Sequence, residues 1–244
     1  MTAASPLHRL AAWSVHTYTA LGLPLAVLAT VALYNDDVQG FFLALCAAVF
    51  VDATDGFLAR AVKVRDVLPD FDGRRLDDIV DFITFALLPT LAVIQFGLFP
   101  EGFAFAAVIP LLASGYGFCQ DQAKTAESFV GFPSYWNIVI MYLYLLELGP
   151  WVNLGVMITL SILVFVPIHY VYPTRTRMLR PVTVVGGFSW AAVMVLLMLQ
   201  IDATWAKTVA LASLVYPVYY FALSAVNHAR ITRQLRAERR NASA

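Results

Sequence analysis

Along the 244-residue chain, long apolar runs alternate with short clusters of charged residues, Gly and Pro. A hydrocarbon core about 30 Å thick takes roughly 20 mostly apolar residues per helix. Eight runs meet or approach that length: 14–34, 39–59, 77–96, 103–118, 135–148, 153–172, 182–199 and 205–229. Pro24, Pro89, Pro110, Pro167 and Pro217 fall inside them, where neighbouring helices can satisfy the backbone groups a proline frees. The pattern predicts an all-α fold, a polytopic membrane bundle of eight helices forming one domain over 1–244. Residues 1–12 contain Pro6, His8 and Arg9 but no short apolar core before a cleavage site, so the first helix is expected to act as its own insertion signal.

Composition supports this reading. The chain is 60% hydrophobic and 13% charged, whereas soluble domains run near 45–50% apolar and about 25% charged. Net charge is zero and no basic block suggests nucleic acid. Cys46 and Cys119 match no disulfide or zinc spacing. The sixteen cationic side chains are strongly segregated. With eight spans, fifteen fall on one side: Arg9, Arg60, Lys63, Arg65, Arg74, Arg75, Lys124, Arg175, Arg177, Arg180, Arg230, Arg233, Arg236, Arg239 and Arg240. Only Lys207 falls on the other, with Asp36, Asp37, Glu101, Glu147 and Asp202. The positive-inside rule makes the basic side cytosolic, with both termini inside.

Acids inside apolar helices are costly and point to function. The stretch VDATDGFLARAVKVRDVLPDFDGRRLDDIVDFITFALLP places Asp52, Asp55, Gly56 and Ala59 on one helix face. Asp77 and Asp81, four apart, share a face of the next helix, from which Asp78 points away. The loop between returns the chain to the same membrane side, so four carboxylates can converge there. Like charges at one site need a cation, and an all-oxygen set favours Mg²⁺ or Mn²⁺. Gly56 and Ala59 leave room for a ligand, and Arg60 is placed to reach a phosphate. Asp66, Asp70, Asp72 and Asp78 are expected to be solvated surface acids. A transporter would set its charges near the midplane, often in repeated halves; this chain has neither pattern.

The spacing D-x2-D-G-x2-A-R, then G-x3-D-x3-D, resembles the signature of the CDP-alcohol phosphotransferases, and every fixed position is matched. The spacer, usually eight residues in that family, is twelve here, 61–72. That length, with SVHTYTALG, VRDVLPDFDG, GFPSYWN and PIHYVYPTRTRMLRP, resembles the choline-using bacterial branch. A membrane prenyltransferase would carry its acidic motifs on distant helices, whereas these four acids lie within thirty residues.

The resemblance implies an inner-membrane enzyme, commonly a homodimer, that moves a phosphatidyl group from CDP-diacylglycerol to choline and releases CMP. Siblings use serine, inositol or glycerol phosphate. It implies two divalent ions held by Asp52, Asp55, Asp77 and Asp81, with Asp81 the catalytic base. Gly56, Ala59, Arg60 and Gly73 would line the CDP pocket. His16 and Thr19 stand where relatives carry Asn-x2-Thr, and for His16 a nucleotide contact and a hydrated helix-end histidine stay open. Lys124, Arg175, Arg177 and Arg180 either fix topology or bind lipid phosphate. Choline is a quaternary ammonium that aromatic faces attract, and Tyr135 or Trp136 is the expected contact.

Overall fold

Helices follow the apolar runs, and their interruptions follow caps and prolines. The computed structural model describes residues 5–120, 128–173 and 175–242. Helix α1 (Pro6–Ala20) begins under a Ser5 cap whose hydroxyl accepts from the His8 amide at 3.3 Å, with Pro6 in the first turn, where its missing N–H is not needed. It runs on into α2 (Gly22–Tyr34), so the first helix starts well before the expected position 14. A Cβ on Gly22 would overlap Val80, which shows how closely α2 approaches the chain around the site.

Helix α3 (Val38–Val62) is capped by Asp37, which accepts from the Gly40 amide at 2.8 Å, and stops at Lys63 in the left-handed region, φ 52°. The spacer is more than a loop. It forms a short helix, α4 (Val64–Val67), and buries Val64 and Leu68 against Ala12 and Val15 of α1. Asp72 then caps α5 (Gly73–Asp81), accepting from the Arg75 amide at 3.0 Å. Directly after Asp81 the helix widens into a π turn, Phe82–Leu87, before α6 (Leu88–Gln95). Pro89 cannot donate to the carbonyl four residues back, and such lesions widen the ladder.

A 3₁₀ turn, Ala104–Ala107, leads into α7 (Val108–Phe118). The bundle continues with β1 (Ser128–Val130), α8 (Trp136–Leu146), α9 (Pro150–Phe165), β2 (His169–Val171), α10 (Arg180–Leu199), α11 (Ala206–Ser213) and α12 (Val215–Ala242). The all-α bundle expected from the apolar runs is the fold found, with one small two-stranded sheet added to it. The run 153–172 is not one helix: Val166 turns extended, φ −87° and ψ 122°, because the residue before a proline is pushed out of the α region. The chain after Pro167 then pairs antiparallel with β1, Phe129 opposite Tyr170.

Among the described residues, four helices are long and apolar enough to cross a membrane: Pro6–Tyr34, Val38–Val62, Arg180–Leu199 and Ala206–Ala237. Ala104–Phe118, Trp136–Leu146 and Pro150–Phe165 are shorter apolar helices. Only 22–33% of each long apolar window is buried inside the protein. The outer faces, with Leu28, Phe57, Phe188 and Leu211 exposed, need lipid around them. The chain is therefore an α-helical membrane protein with one small sheet.

Hydrogen bonds gather the connections into two groups. Gln95 donates to Asp36 at 2.7 Å, Gln39 to the Met198 and Leu199 carbonyls at 3.0 Å, and Asn153 to the Leu98 carbonyl at 2.9 Å, while Lys207 meets Glu147 at 2.9 Å. The spacer, the start of α5 and the sheet lie at the other end, with the acidic stretch.

Candidate metal and acceptor site

Asp52 and Asp55 stand on the last turns of α3, and Asp77 on the first turns of α5. One carboxylate oxygen from each lies within 4.8 Å of the other two. Two unit charges at that spacing repel by roughly 3–4 kcal/mol at an effective dielectric of about 20, so the triad favours a bound cation. Hard divalent ions take oxygen ligands at about 2.0–2.6 Å, which this spread accommodates. The acidic triad thus fits the Mg²⁺ or Mn²⁺ expected of it.

Asp81 sits one turn beyond Asp77, buried, and is not part of that group of three. With Asp52, Arg74, Asp78 and Phe85 it forms one wall of a cavity. Positions 74, 78, 81 and 85 make a stripe along the helix. Asp78, expected to face away as a surface acid, lines this cavity and stands 3.9 Å from Arg74 Nε. Asp52 borders both the triad and the cavity.

Helix α1 supports the triad from behind. Thr19 Oγ1 donates to Asp55 Oδ2 at 2.7 Å, and one residue earlier in both helices Tyr18 Oη meets Thr54 Oγ1 at 2.7 Å. His16 is buried and packs on Gly73, where a Cβ would overlap the imidazole. Phe71 lies 4.3 Å from its ring, and His16 Nε2 has no hydrogen-bond partner among the described residues. Gly56 lies under Arg60, whose Nη1 would be 3.3 Å from a Cβ there. Ala59 packs with the small cluster between spacer and α1. Close packing thus accounts for three of the small residues: Gly73 under His16, Gly56 under Arg60, and Ala59 between helices.

The opposite cavity wall comes from Gly117, Phe118, Gln120, 129–135, Val164 and Tyr172. The two aromatics expected to meet choline separate here. Trp136 is fully buried and its indole N–H donates to Ser114 Oγ at 2.6 Å, so it belongs to the core. Tyr135 lines the cavity within electrostatic reach of Asp52 and Asp81. Arg175 places its guanidinium 4.6 Å from the Tyr172 ring centroid, whereas Arg177 and Arg180 are exposed. Lys124 lies outside the described residues.

No family model matches the chain. Curated relatives do. A phosphatidylcholine synthase of Pseudomonas aeruginosa is 37% identical over 198 residues, 80% of this chain and 83% of the relative. Those of Mesorhizobium japonicum and Agrobacterium fabrum are 39% and 35% identical, covering 74% and 86% of this chain and 68% and 89% of theirs. The chain belongs to the phosphatidylcholine synthase family. In this member of the phosphatidylcholine synthase family, sequence reasoning missed Phe85, Phe129 and Tyr172 as cavity residues. The β-branched and aromatic alternation of 170–172 was the available signal.

Proposed function

We propose that the chain transfers the phosphatidyl group of CDP-diacylglycerol to choline, giving phosphatidylcholine and CMP, at the cytosolic face of a bacterial inner membrane. The observation that carries this is an acidic triad fit for a divalent ion, sharing Asp52 with an acidic, aromatic-lined cavity, in a chain of this family. The charge segregation along the sequence supports the orientation. The apolar runs and the alternation of charge support eight spans, and the family resemblance supports two ions and a homodimer.

Asp52, Asp55 and Asp77 hold the metal, with Asp81 completing the set from the cavity side. When bound, divalent ions neutralise the pyrophosphate and stabilise charge developing on the departing CMP. The chain's own residues do the rest by positioning. Thr19 fixes the orientation of Asp55, as outer partners of ligands commonly do. Arg60 and Gly56 receive the donor's phosphates, Ala59 and Gly73 keep the helices close beside the nucleotide, and His16 offers its buried Nε2 to the cytidine side. Arg175, Arg177 and Arg180 face lipid phosphate at the mouth, a role the sequence also offers to Lys124.

The choline oxygen bonds to the lipid-proximal phosphorus while the bond from that phosphorus to the bridging oxygen breaks. CMP leaves with the bridging oxygen, and the hydroxyl proton passes to Asp81. Purified protein incubated with CDP-diacylglycerol, Mn²⁺ and a panel of labelled alcohols tests the reading. Phosphatidylcholine and CMP in equal amounts are expected with choline. Product with serine or inositol and none with choline would overturn it.

A further inference from the structure

Taking the choline reading above as its basis, we propose that Phe85, Phe129 and Tyr135 form the cage that holds the trimethylammonium group, with Tyr172 positioning Phe129. The three rings come from distant parts of the chain: the π turn after Asp81, strand β1, and the residue before α8. Tyr135 is the centre, 6.3 Å from Phe85 at an interplanar angle of 50° and 6.4 Å from Phe129 at 84°. Rings set at such angles present a face and an edge to one point rather than stacking the space shut. All three rings line the same cavity, so a cation seated between Tyr135 and either neighbour meets more than one aromatic surface over the roughly 6 Å such attraction spans.

Charge and chain length agree with this assignment. Among the described lining residues Arg74 is the one base and it faces Asp78 at 3.9 Å, so with Asp52 and Asp81 given to the ions the wall holds little positive charge to receive an anionic acceptor such as a phosphorylated alcohol. In choline only two carbons separate the ammonium from the hydroxyl. A head held by Tyr135 therefore leaves the hydroxyl on the side of Asp81, which lines the same cavity.

Tyr172 acts through Phe129. The two rings stack at 4.5 Å and 11°, Phe129 on β1 and Tyr172 directly after the end of β2. Arg175 lies 4.6 Å from the same Tyr172 ring, so the ring is held by both neighbours. The sheet is itself fastened to α12: Val171 N donates to Ser224 Oγ at 3.0 Å, and Tyr220 Oη donates to the Val171 carbonyl at 3.1 Å. The wall is thus preorganised, which lowers the ordering cost of binding.

The test is steady-state kinetics of the full chain in lipid nanodiscs. Phe129→Leu and Phe85→Leu should each raise the choline KM roughly thirtyfold, the weight of one desolvated cation–π contact, with the CDP-diacylglycerol KM held within about twofold. Phe129→Tyr should stay near wild type. Tyr172→Leu should raise the choline KM a few-fold and Tyr172→Phe should restore it, as a positioning role requires. Tetramethylammonium should compete with choline in the wild-type enzyme, and its uncharged isostere neopentane should not. Wild-type choline KM in both leucine variants, or no competition by tetramethylammonium in the unaltered protein, overturns the cage. The competition result stands even if a leucine variant fails to fold. A wild-type protein that transfers to another alcohol and never to choline overturns the function reading instead, so the two failures are distinct.

Discussion

The two ends of the bundle handle their acids in opposite ways. At one end Asp36 accepts from Gln95 at 2.7 Å, and Glu147 pairs with Lys207 at 2.9 Å. The protein closes that end with its own donors. At the other end Asp52, Asp55 and Asp77 are drawn to within 4.8 Å of one another, and Asp81 and Asp78 line the cavity beside them. Acidic side chains serve as fasteners where one acid meets one donor, and as a receptor where several are gathered at one point.

The sharpest way to break this contrast is at the triad. Asp77→Asn should abolish Mn²⁺ binding and transfer together. Asp81→Asn should lower turnover by about 10²–10⁴, the range for a lost general base, while keeping Mn²⁺ binding measurable by paramagnetic resonance. If Asp81→Asn lost the ion as fully as Asp77→Asn, the division between triad and cavity acid would fall. Chelation should stop transfer by the intact protein, and Mn²⁺ or Mg²⁺ should restore it. A smaller effect is expected at Thr19→Val, which deletes the 2.7 Å hydrogen bond to Asp55; metal affinity should fall about 10–100-fold, read by titration calorimetry.

At the fastened end, Lys207→Met should leave turnover untouched. The pair is 56% and 74% exposed, so thermal unfolding should report only about 0.2–1 kcal/mol. The mildest change concerns the sheet. Burial, and then the neighbouring His228, push the His169 imidazole below its ordinary value of 6.5. The folded chain then binds fewer protons than the unfolded one as pH falls below about 6.5, so the sheet keeps its full stability above that pH and loses some below it. Faster amide exchange at 128–130 and 169–171 near pH 5.5 than at pH 7.5 is the expected sign.

Sequence alone made the helical membrane architecture and the acidic stretch legible, because hydrophobic length and carboxylates at i, i+3 and i, i+4 are local signals; it grouped Asp81 with Asp52, Asp55 and Asp77, whereas only those three lie within 4.8 Å of one another. It did not reveal the sheet: 166–172 is apolar enough to pass for the end of a helix, and Pro167 inside an apolar run can be absorbed or can break it. Nor could it place Trp136, since a tryptophan near a helix start reads as interfacial until its N–H is seen on Ser114. Asp78, read as a surface acid, does face the exposed Arg74 and stay out of the acidic group, but its place on the cavity wall is set by the neighbouring elements and not by its own helix phase. The cavity's aromatic wall joins residues up to 87 positions apart, Phe85 to Tyr172, which no periodicity reports.

The long spacer has a consequence for building chimeras. Val64 and Leu68 bury against Ala12 and Val15, while Phe71 rests on His16, so the spacer and the inner face of α1 are halves of one interlocking part. Trimming residues 61–72 to the family's usual length would leave that face of α1 bare and the His16 ring without its lid. The transferable module is therefore not the signature stretch but the signature together with the first helix, two pieces that have to be swapped between family members as a set.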